Sequence, residues 1–370
     1  MIIAVNTRLR KEEQPEGYEN FLFETLNRIT KKFPQHSFLY IFDKPYGDKF
    51  HFAKNVLPII AGPQTSNSLR LQYWLNYKIP ALLRKHKADV FVSMEGFCSL
   101  RTKTPQCLLI TDCSFLKLQL VKKPLARFYK KFTRSFLAKA KSIATVSDYS
   151  QSVIIDQYKI NAAKVDVIKP GVDDIFKQID WEEKEFIKEK YAEGKAYFLF
   201  SGDINPRSNL INLLKAFSFF KKRQKSNMLL LLAGNADEPF KKELKNYKFR
   251  KEVKLLENLP KEELAKITAA AYTMVYPVLY TDFALAPLQA MQCGVPVVAA
   301  NTGALPSICG NAALYADPNN FKDIAESMML VFKDEDKAAA LVHAGKTLLP
   351  QYDWDKTADI LMQCILRCVN

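Results

Sequence analysis

Three stretches of this chain carry residues whose types and spacing could do chemistry. In the first, Tyr197 to Ser201 reads as a strand and runs into Gly202-Asp203-Ile204-Asn205-Pro206-Arg207-Ser208-Asn209, ahead of the amphipathic segment Leu210 to Lys221. An arginine at a strand end beside a helix start offers a planar fork of donors to diphosphate oxygens. A solvated surface arginine has the same local sequence. In the second, the connection Thr7 to Glu16 reaches Gly17 just before an apolar helical face of Tyr18, Phe21, Leu22, Leu26 and Ile29. Glycine there lets a ligand approach unpaired N–H groups at a helix N-terminus, where the dipole favours phosphate; it also suits a plain turn. The third, residues 276–300, joins a strand to the loop Tyr280-Thr281-Asp282-Phe283-Ala284-Leu285, a helix carrying Gln289, and Cys293-Gly294-Val295-Pro296-Val297-Val298. No Gly-x-Gly-x-x-Gly occurs, so a dinucleotide oxidoreductase is disfavoured. His36, His51, His86 and His343 stand in no recognisable motif.

These residues need a frame, and the apolar pattern supplies one. Short β-branched and apolar runs alternate with helical periodicity along the chain, the signature of parallel sheets with crossover helices, so the fold class is α/β. The first half holds strand-like runs near Ile2 to Asn6, Ser37 to Phe42, Val56 to Ile60, Asp89 to Ser93, Gln106 to Thr111, Ser142 to Thr145 and Val165 to Ile168. The second repeats the design near Tyr197 to Ser201, Met228 to Ala233, Val253 to Leu256, Met274 to Pro277, Val295 to Ala299 and Ala313 to Tyr315. Turn chemistry at Lys169-Pro170-Gly171-Val172-Asp173 marks the switch. The expected division is a Rossmann-like unit over 1–170, a second over 171–350, and a terminal helix within 351–370 that packs back toward the first unit. Ligands of open α/β sheets sit at the carboxyl ends of strands, which directs the search to a cleft between the two units.

Composition narrows the function. The 370 residues are 48% hydrophobic and 25% charged, ordinary globular usage that excludes a disordered or collagen-like chain. No apolar run reaches the roughly 18 to 20 residues that span a bilayer. The first residues, Met1 to Asn6, read as a strand rather than a signal peptide, so the expected compartment is the cytoplasm. Seven cysteines without Cys-x-x-Cys spacing read as reduced, mostly buried thiols. The net charge of +15 lies entirely in residues 1–170, with 28 Lys+Arg against 13 Asp+Glu; residues 171–370 hold 26 of each. Lys117 to Lys141 contain nine cations and no acid, with Leu125, Phe128, Phe132 and Phe136 on one helical stripe. Such a helix suits an anionic membrane surface; it equally suits a core-facing stripe with a solvated back. Nucleic-acid binding ranks last, because the aromatic residues recur at core spacing and no nucleic-acid motif occurs.

The stretch Tyr276 to Ala300 resembles the donor-site signature of family 4 glycosyltransferases. Further similarity lies in Pro206-Arg207-Ser208-Asn209, in Ala144-Thr145-Val146-Ser147-Asp148-Tyr149-Ser150, in Asn301-Thr302-Gly303-Ala304-Leu305-Pro306 and in Ala312 to Pro318. The resemblance covers nearly the whole chain in order. It implies a GT-B fold of two Rossmann-like domains facing a central cleft, and retaining transfer from a nucleotide diphosphate sugar with no cofactor. It implies that Gly17, Gly202, Arg207, Thr281, Asp282, Phe283, Ala284, Leu285 and Gln289 bind the donor, and that Arg207 and Asp112 are the catalytic candidates. No metal is implied, since cations and helix N-termini can do the neutralising.

Four positions depart from the family pattern. Thr281 and Gln289 stand where the family has two glutamates eight positions apart, Ser208 stands for the lysine of an Arg-Lys pair, and Thr111, followed by Asp112, stands for the active-site histidine. Gln289 still accepts from ribose hydroxyls but lacks a charge-assisted pair, Asp282 is the nearest anion to the site of the lost glutamate, and Arg207 alone remains to meet the leaving diphosphate. The resulting expectation is a transferase acting on a lipid-linked or polysaccharide acceptor, peripheral on the inner membrane face through Lys117 to Lys141. The alternative is a degenerate member that binds a sugar nucleotide or glycan and partners an active enzyme.

Overall fold

A computed structural model describes residues 1–8, 17–46, 53–116 and 123–369. The chain divides into two units, Met1–Gly171 with Asp353–Asn370, and Val172–Tyr352.

Unit 1 is a parallel sheet of β1 (Ile2–Asn6), β2 (Ser37–Phe42), β3 (Val56–Ile60), β4 (Val90–Ser93), β5 (Gln106–Ile110), β6 (Ser142–Thr145) and β7 (Val165–Val167), in spatial order β3-β2-β1-β4-β5-β6-β7. Its helices are α1 (Tyr18–Lys32), α2 (Ser68–Tyr73), α3 (Ile79–Lys85), α4 (Lys123–Lys139) and α5 (Asp148–Tyr158). β4 and β5 are buried along their whole length, as strands covered on both faces must be. Between α2 and α3 the helix widens over Trp74–Lys78: the Ile79 N–H reaches back five residues to the Trp74 carbonyl. Pro80, which has no N–H to offer the ladder, follows directly, a local cause for the wide turn.

Unit 2 contains β8 (Tyr197–Ser201), β9 (Leu229–Ala233), β10 (Val253–Leu256), β11 (Thr273–Tyr276), β12 (Val297–Ala300) and β13 (Ala313–Ala316), ordered β10-β9-β8-β11-β12-β13. Its helices are α6 (Trp181–Ala192), α7 (Leu210–Gln224), α8 (Glu238–Lys245), α9 (Lys261–Ala269), α10 (Leu285–Gln292), α11 (Leu305–Cys309), α12 (Phe321–Lys333) and α13 (Glu335–Leu348). The unbroken apolar runs of β8 and β9 occupy the middle of the sheet, whereas Lys254 sits on the edge strand β10, where a charge discourages further pairing.

The last helix, α14 (Trp354–Leu366), belongs to unit 1 and lies against α1. The Trp354 and Phe21 rings are 5.8 Å apart, and Lys32 Nζ is 2.7 Å from Asp359 Oδ2. The Thr357 hydroxyl donates to the Lys169 carbonyl and Arg367 pairs with Asp166. A Cβ at position 171 would meet Trp354 Cγ at 2.4 Å, so glycine is what lets the helix begin there. The two Asp-x-Asp spacings, 334–336 and 353–355, are helix N-caps: Asp334 accepts from the Lys337 N–H, and Asp353 from those of Asp355 and Lys356.

The aromatic stripe of the basic segment turns inward. Phe128 and Phe136 are buried in the core of unit 1 with Phe97 and Phe115, and Phe132 packs against them. Arg127, Lys130, Lys131 and Arg134 are exposed. The core-facing reading is therefore the correct one for Phe128, Phe132 and Phe136. Lys117 to Lys122 lie outside the described residues, as does the side chain of Leu125. All seven cysteines are buried free thiols.

Three ion-paired carboxylates of unit 2 set a pH dependence. Lys195 and Lys254 flank Glu193 and hold its carboxyl down at about 2; the Ala236 N–H and Lys241 lower Glu257, and Tyr191 and Lys190 lower Glu263. Each carboxyl is more acidic folded than unfolded, so its stabilisation is present above the ordinary value of 4.5 and is lost as pH falls below it, that of Glu193 toward about 2. The thermal midpoint should therefore drop on acidification through that window, and Glu193→Gln should lower the midpoint at neutral pH and so flatten part of the drop.

Candidate functional site

In unit 2 the connections that follow β8 and β11 meet at the carboxyl edge of the sheet. The loop after β8 starts at Gly202 and closes a short 3-10 turn over Pro206–Ser208. Asn205 is its N-cap, accepting from the Arg207 N–H at 2.9 Å, while the Ser208 hydroxyl accepts from the Asn205 N–H at 3.2 Å and donates to the Asp203 carbonyl. Ser208 is buried and its hydroxyl is engaged by the turn itself. Arg207 is half-exposed, and its carbonyl accepts from the Leu279 N–H at 2.8 Å, tying the β8 connection to the β11 connection. Asn209, in the left-handed region, donates from Nδ2 to the Pro277 and Pro318 carbonyls at 2.9 and 2.7 Å and so fastens the same loops together. Residue 234, just past β9, has φ 157°, and a Cβ there would fall 1.8 Å from the Gly202 carbonyl oxygen; only glycine permits that approach.

The β11 connection is held by its own side chains. Thr281 Oγ1 accepts from the Phe283 N–H at 3.1 Å and contacts the Phe283 carbonyl at the same distance. Asp282 is buried and accepts from the Tyr280 hydroxyl at 3.1 Å. Phe283 and Ala284 are buried, and Ala284 is the N-cap of α10 without any side-chain cap. The Leu285 and Ala286 N–H groups at the start of α10 thus meet no capping side chain, and Pro287 has no N–H to add. Leu285 and Gln289, both half-exposed, lie one turn apart on the same face of α10. The Gln289 amide makes no hydrogen bond among the described residues. The result is a half-exposed guanidinium on one connection and an uncapped helix start on the joined one, an arrangement suited to a diphosphate.

Gly17 and Asp112 belong to unit 1. Gly17 is the N-cap of α1 with φ 78°, a conformation that favours glycine, and α1 also lacks a side-chain cap. Of the connection that precedes it, residues 9–16 lie outside the described residues. Asp112 follows β5 and accepts from the Ser114 N–H at 2.6 Å, while Thr111 beside it is buried.

A buried ion pair at the same edge of unit 1 has no counterpart in the sequence reading. Arg8, two residues beyond β1, lays Nε and Nη2 on the two oxygens of Glu95, just beyond β4, at 2.7 and 2.9 Å. Asn6 donates to Glu95, and Arg8 Nη1 reaches Thr65, whose hydroxyl donates to Asp43 at 2.6 Å. The Arg8 side chain is only 1% exposed, so removing either partner would strand a buried charge. Tyr18, the first residue of α1, donates to the Met94 carbonyl, and burial pushes its phenol well above the usual range. The 87 positions between Arg8 and Glu95 explain why no spacing rule finds the pair.

Comparison with known proteins gives matches in both units. The family model described as Glycosyltransferase Family 4 matches residues 36–175, and Glycosyl transferases group 1 matches residues 182–348. The O-antigen chain mannosyltransferase B of Escherichia coli is 30% identical over 237 residues, 63% of this chain and 62% of that protein. The chain thus spans less than two thirds of that relative. The O-antigen chain mannosyltransferase RfbU of Salmonella typhimurium is 22% identical over 84% of each chain. Among solved structures, Anabaena Alr3699/HepE in complex with UDP-glucose superposes with a TM-score of 0.75 at 17% identity over 98% of each chain, a likeness of fold.

Proposed function

Because the chain belongs to glycosyltransferase family 4 and has its GT-B fold, we propose that it transfers a sugar from a nucleotide diphosphate sugar to a lipid-linked or polysaccharide acceptor with retention. The observation that carries this reading is the junction in unit 2, where the Arg207 carbonyl and the Leu279 N–H join the guanidinium's loop to the uncapped start of α10. When the bond from the anomeric carbon to phosphate breaks, charge grows on the diphosphate. Arg207 and the Leu285 and Ala286 N–H groups are the preorganised donors for it. The acceptor oxygen bonds the anomeric carbon on the face the diphosphate leaves, and by the family resemblance its proton passes to the departing phosphate. Gly202 and the Thr281 to Leu285 loop would bound the donor, with Gln289 on the ribose; Gly17 would bring its helix N-terminus to phosphate, and Asp112 is the catalytic candidate of unit 1. Mannose is the first sugar to test, since both O-antigen relatives are mannosyltransferases by name.

Of the family's two cations at the β8 connection, Arg207 alone is present, because Ser208 serves its own turn. The exposed cations of α4 support peripheral association with an anionic membrane on the cytoplasmic side. Among the described residues no helix is long and apolar enough to cross a membrane.

Calorimetric titration with uridine and guanosine diphosphates and their sugar conjugates tests the reading, paired with an assay for release of the nucleoside diphosphate. Micromolar binding of one nucleotide with turnover supports the transferase, and binding without turnover on any acceptor supports the degenerate partner. Gln289→Glu should tighten donor binding, since a carboxylate accepts ribose hydroxyls about 1 to 3 kcal/mol more strongly than a neutral amide. An unchanged Kd in that variant would remove Gln289 from the donor site.

A further inference from the structure

The helix after β3 presents an apolar stripe that the core does not use. Leu69, Tyr73 and Tyr77 stand four residues apart and are 76, 46 and 50% exposed. The opposite side of the same helix, with Leu71, Trp74, Leu75, Ile79 and Leu83, is buried in the core of unit 1. Single exposed apolar side chains are common, but three on one line, two of them aromatic, are not what burial alone produces. The wide turn aligns them. At about 3.6 residues per turn the fourth residue overshoots the first, and the i to i+5 turn at Trp74–Lys78 takes up that excess. The Tyr73 and Tyr77 rings stack at 5.5 Å and 22°, and the Arg101 guanidinium sits 4.3 Å over Tyr77.

The charge around the stripe has one sign. Residues 53–88 contain no Asp or Glu, and Arg70, Lys78 and Arg101 are exposed next to the three apolar side chains. α2 packs against α4, whose exposed cations include Arg127, Lys130, Lys131 and Arg134. Phe128 and Phe136 of α4 are buried and Tyr129 and Phe132 pack against the core, so among the described side chains α4 offers a membrane mainly charge. Charge alone gives binding that salt screens; apolar side chains in the interface give binding that salt does not. Tyrosine and leucine beside exposed Arg70, Lys78 and Arg101, on a segment without a carboxylate, fit an anionic bilayer surface.

We propose that Leu69, Tyr73 and Tyr77 insert among the head groups of an anionic bilayer, flanked by the cations of α2 and α4. The proposal rests on the reading that the α4 cations meet a membrane, and it adds the residues that enter it.

The test is co-sedimentation of the full chain with vesicles of phosphatidylglycerol and phosphatidylethanolamine, with phosphatidylcholine vesicles as the neutral control. Two triple variants are compared, Leu69→Ser/Tyr73→Ser/Tyr77→Ser and Lys130→Gln/Lys131→Gln/Arg134→Gln. The wild type should bind the anionic vesicles, keeping part of that binding at about 1 M salt, where the Debye length is only about 3 Å. The serine variant should bind about tenfold more weakly at about 0.15 M salt and lose all binding at high salt. Equal binding by the serine variant, with loss in the glutamine variant, would overturn this proposal and leave the α4 reading standing. Sedimentation of the wild type with neither vesicle type would overturn both. Folding is controlled by a second variant, Tyr73→Trp: on anionic vesicles its added fluorescence over wild type should be quenched by brominated acyl chains, and no added quenching would overturn insertion. A serine variant that loses RNA retention while binding vesicles as well as the wild type would assign the stripe to nucleic acid instead.

Discussion

Arg207→Ala should lower turnover by about two to three orders of magnitude, with the fold intact. Removing one preorganised donor from a developing oxyanion costs that much in enzymes where the site excludes water, and here no second cation of the usual pair stands beside it, because Ser208 closes its own turn. The side chain is half-exposed, and the Arg207 carbonyl that ties it to the β11 connection is retained by alanine, so the joined loops should keep that bond. Arg207→Lys should recover part of the rate but not all of it, since an ammonium meets a diphosphate as a point charge rather than a fork. Steady-state release of the nucleoside diphosphate, with kcat and KM separated, checks this. Full activity in the alanine variant would remove Arg207 from the mechanism.

Trp354→Ala should cost about 3 to 5 kcal/mol, the range for deleting a buried large aromatic side chain. Trp354 is buried against Phe21 at the start of α14, and the indole occupies the space that Gly171 leaves. The damage should be local. Hydrogen exchange should show lost protection in α1, α14 and the neighbouring β5 and β6, with β8 to β13 unchanged. Uniform loss over both units would mean that α14 stabilises the chain in some other way.

The fold was legible where one physical rule dominates. Unbroken apolar runs such as Phe198 to Phe200 and Leu229 to Leu232 have no exposed side to offer, so they had to be inner strands of covered parallel sheets. The stop at Lys169 to Asp173 lies at the boundary between the units because proline and glycine leave no element to continue. The donor-side loops were findable as motifs, yet the bonds that join them were not. Nothing local says that Asn209 will reach Pro318, or that Ser208 will be occupied by Asn205 and Asp203. The same limit hid Arg8 and Glu95, whose charges are compatible with burial only as a pair brought from distant strands. Helical periodicity identified the stripe of Phe128, Phe132 and Phe136, but a period does not say whether a face meets protein or lipid. The alignment of Leu69, Tyr73 and Tyr77 depends on a turn wider than the α-helical period, which the local sequence pattern does not announce.

The position of α14 also orders the making of the molecule. On a ribosome the strands of unit 1 emerge first, but the groove beside α1 that Trp354 fills, the Lys169 carbonyl that Thr357 meets and the Asp166 carboxylate that Arg367 meets all wait until unit 2 has been synthesised. Unit 2 is contiguous in the chain, running from Val172 to Tyr352. The half that is translated first is therefore the half that is finished last, and its nascent form carries the uncovered face of α1 through the synthesis of about half the chain, the interval in which exposed apolar surface invites misassembly.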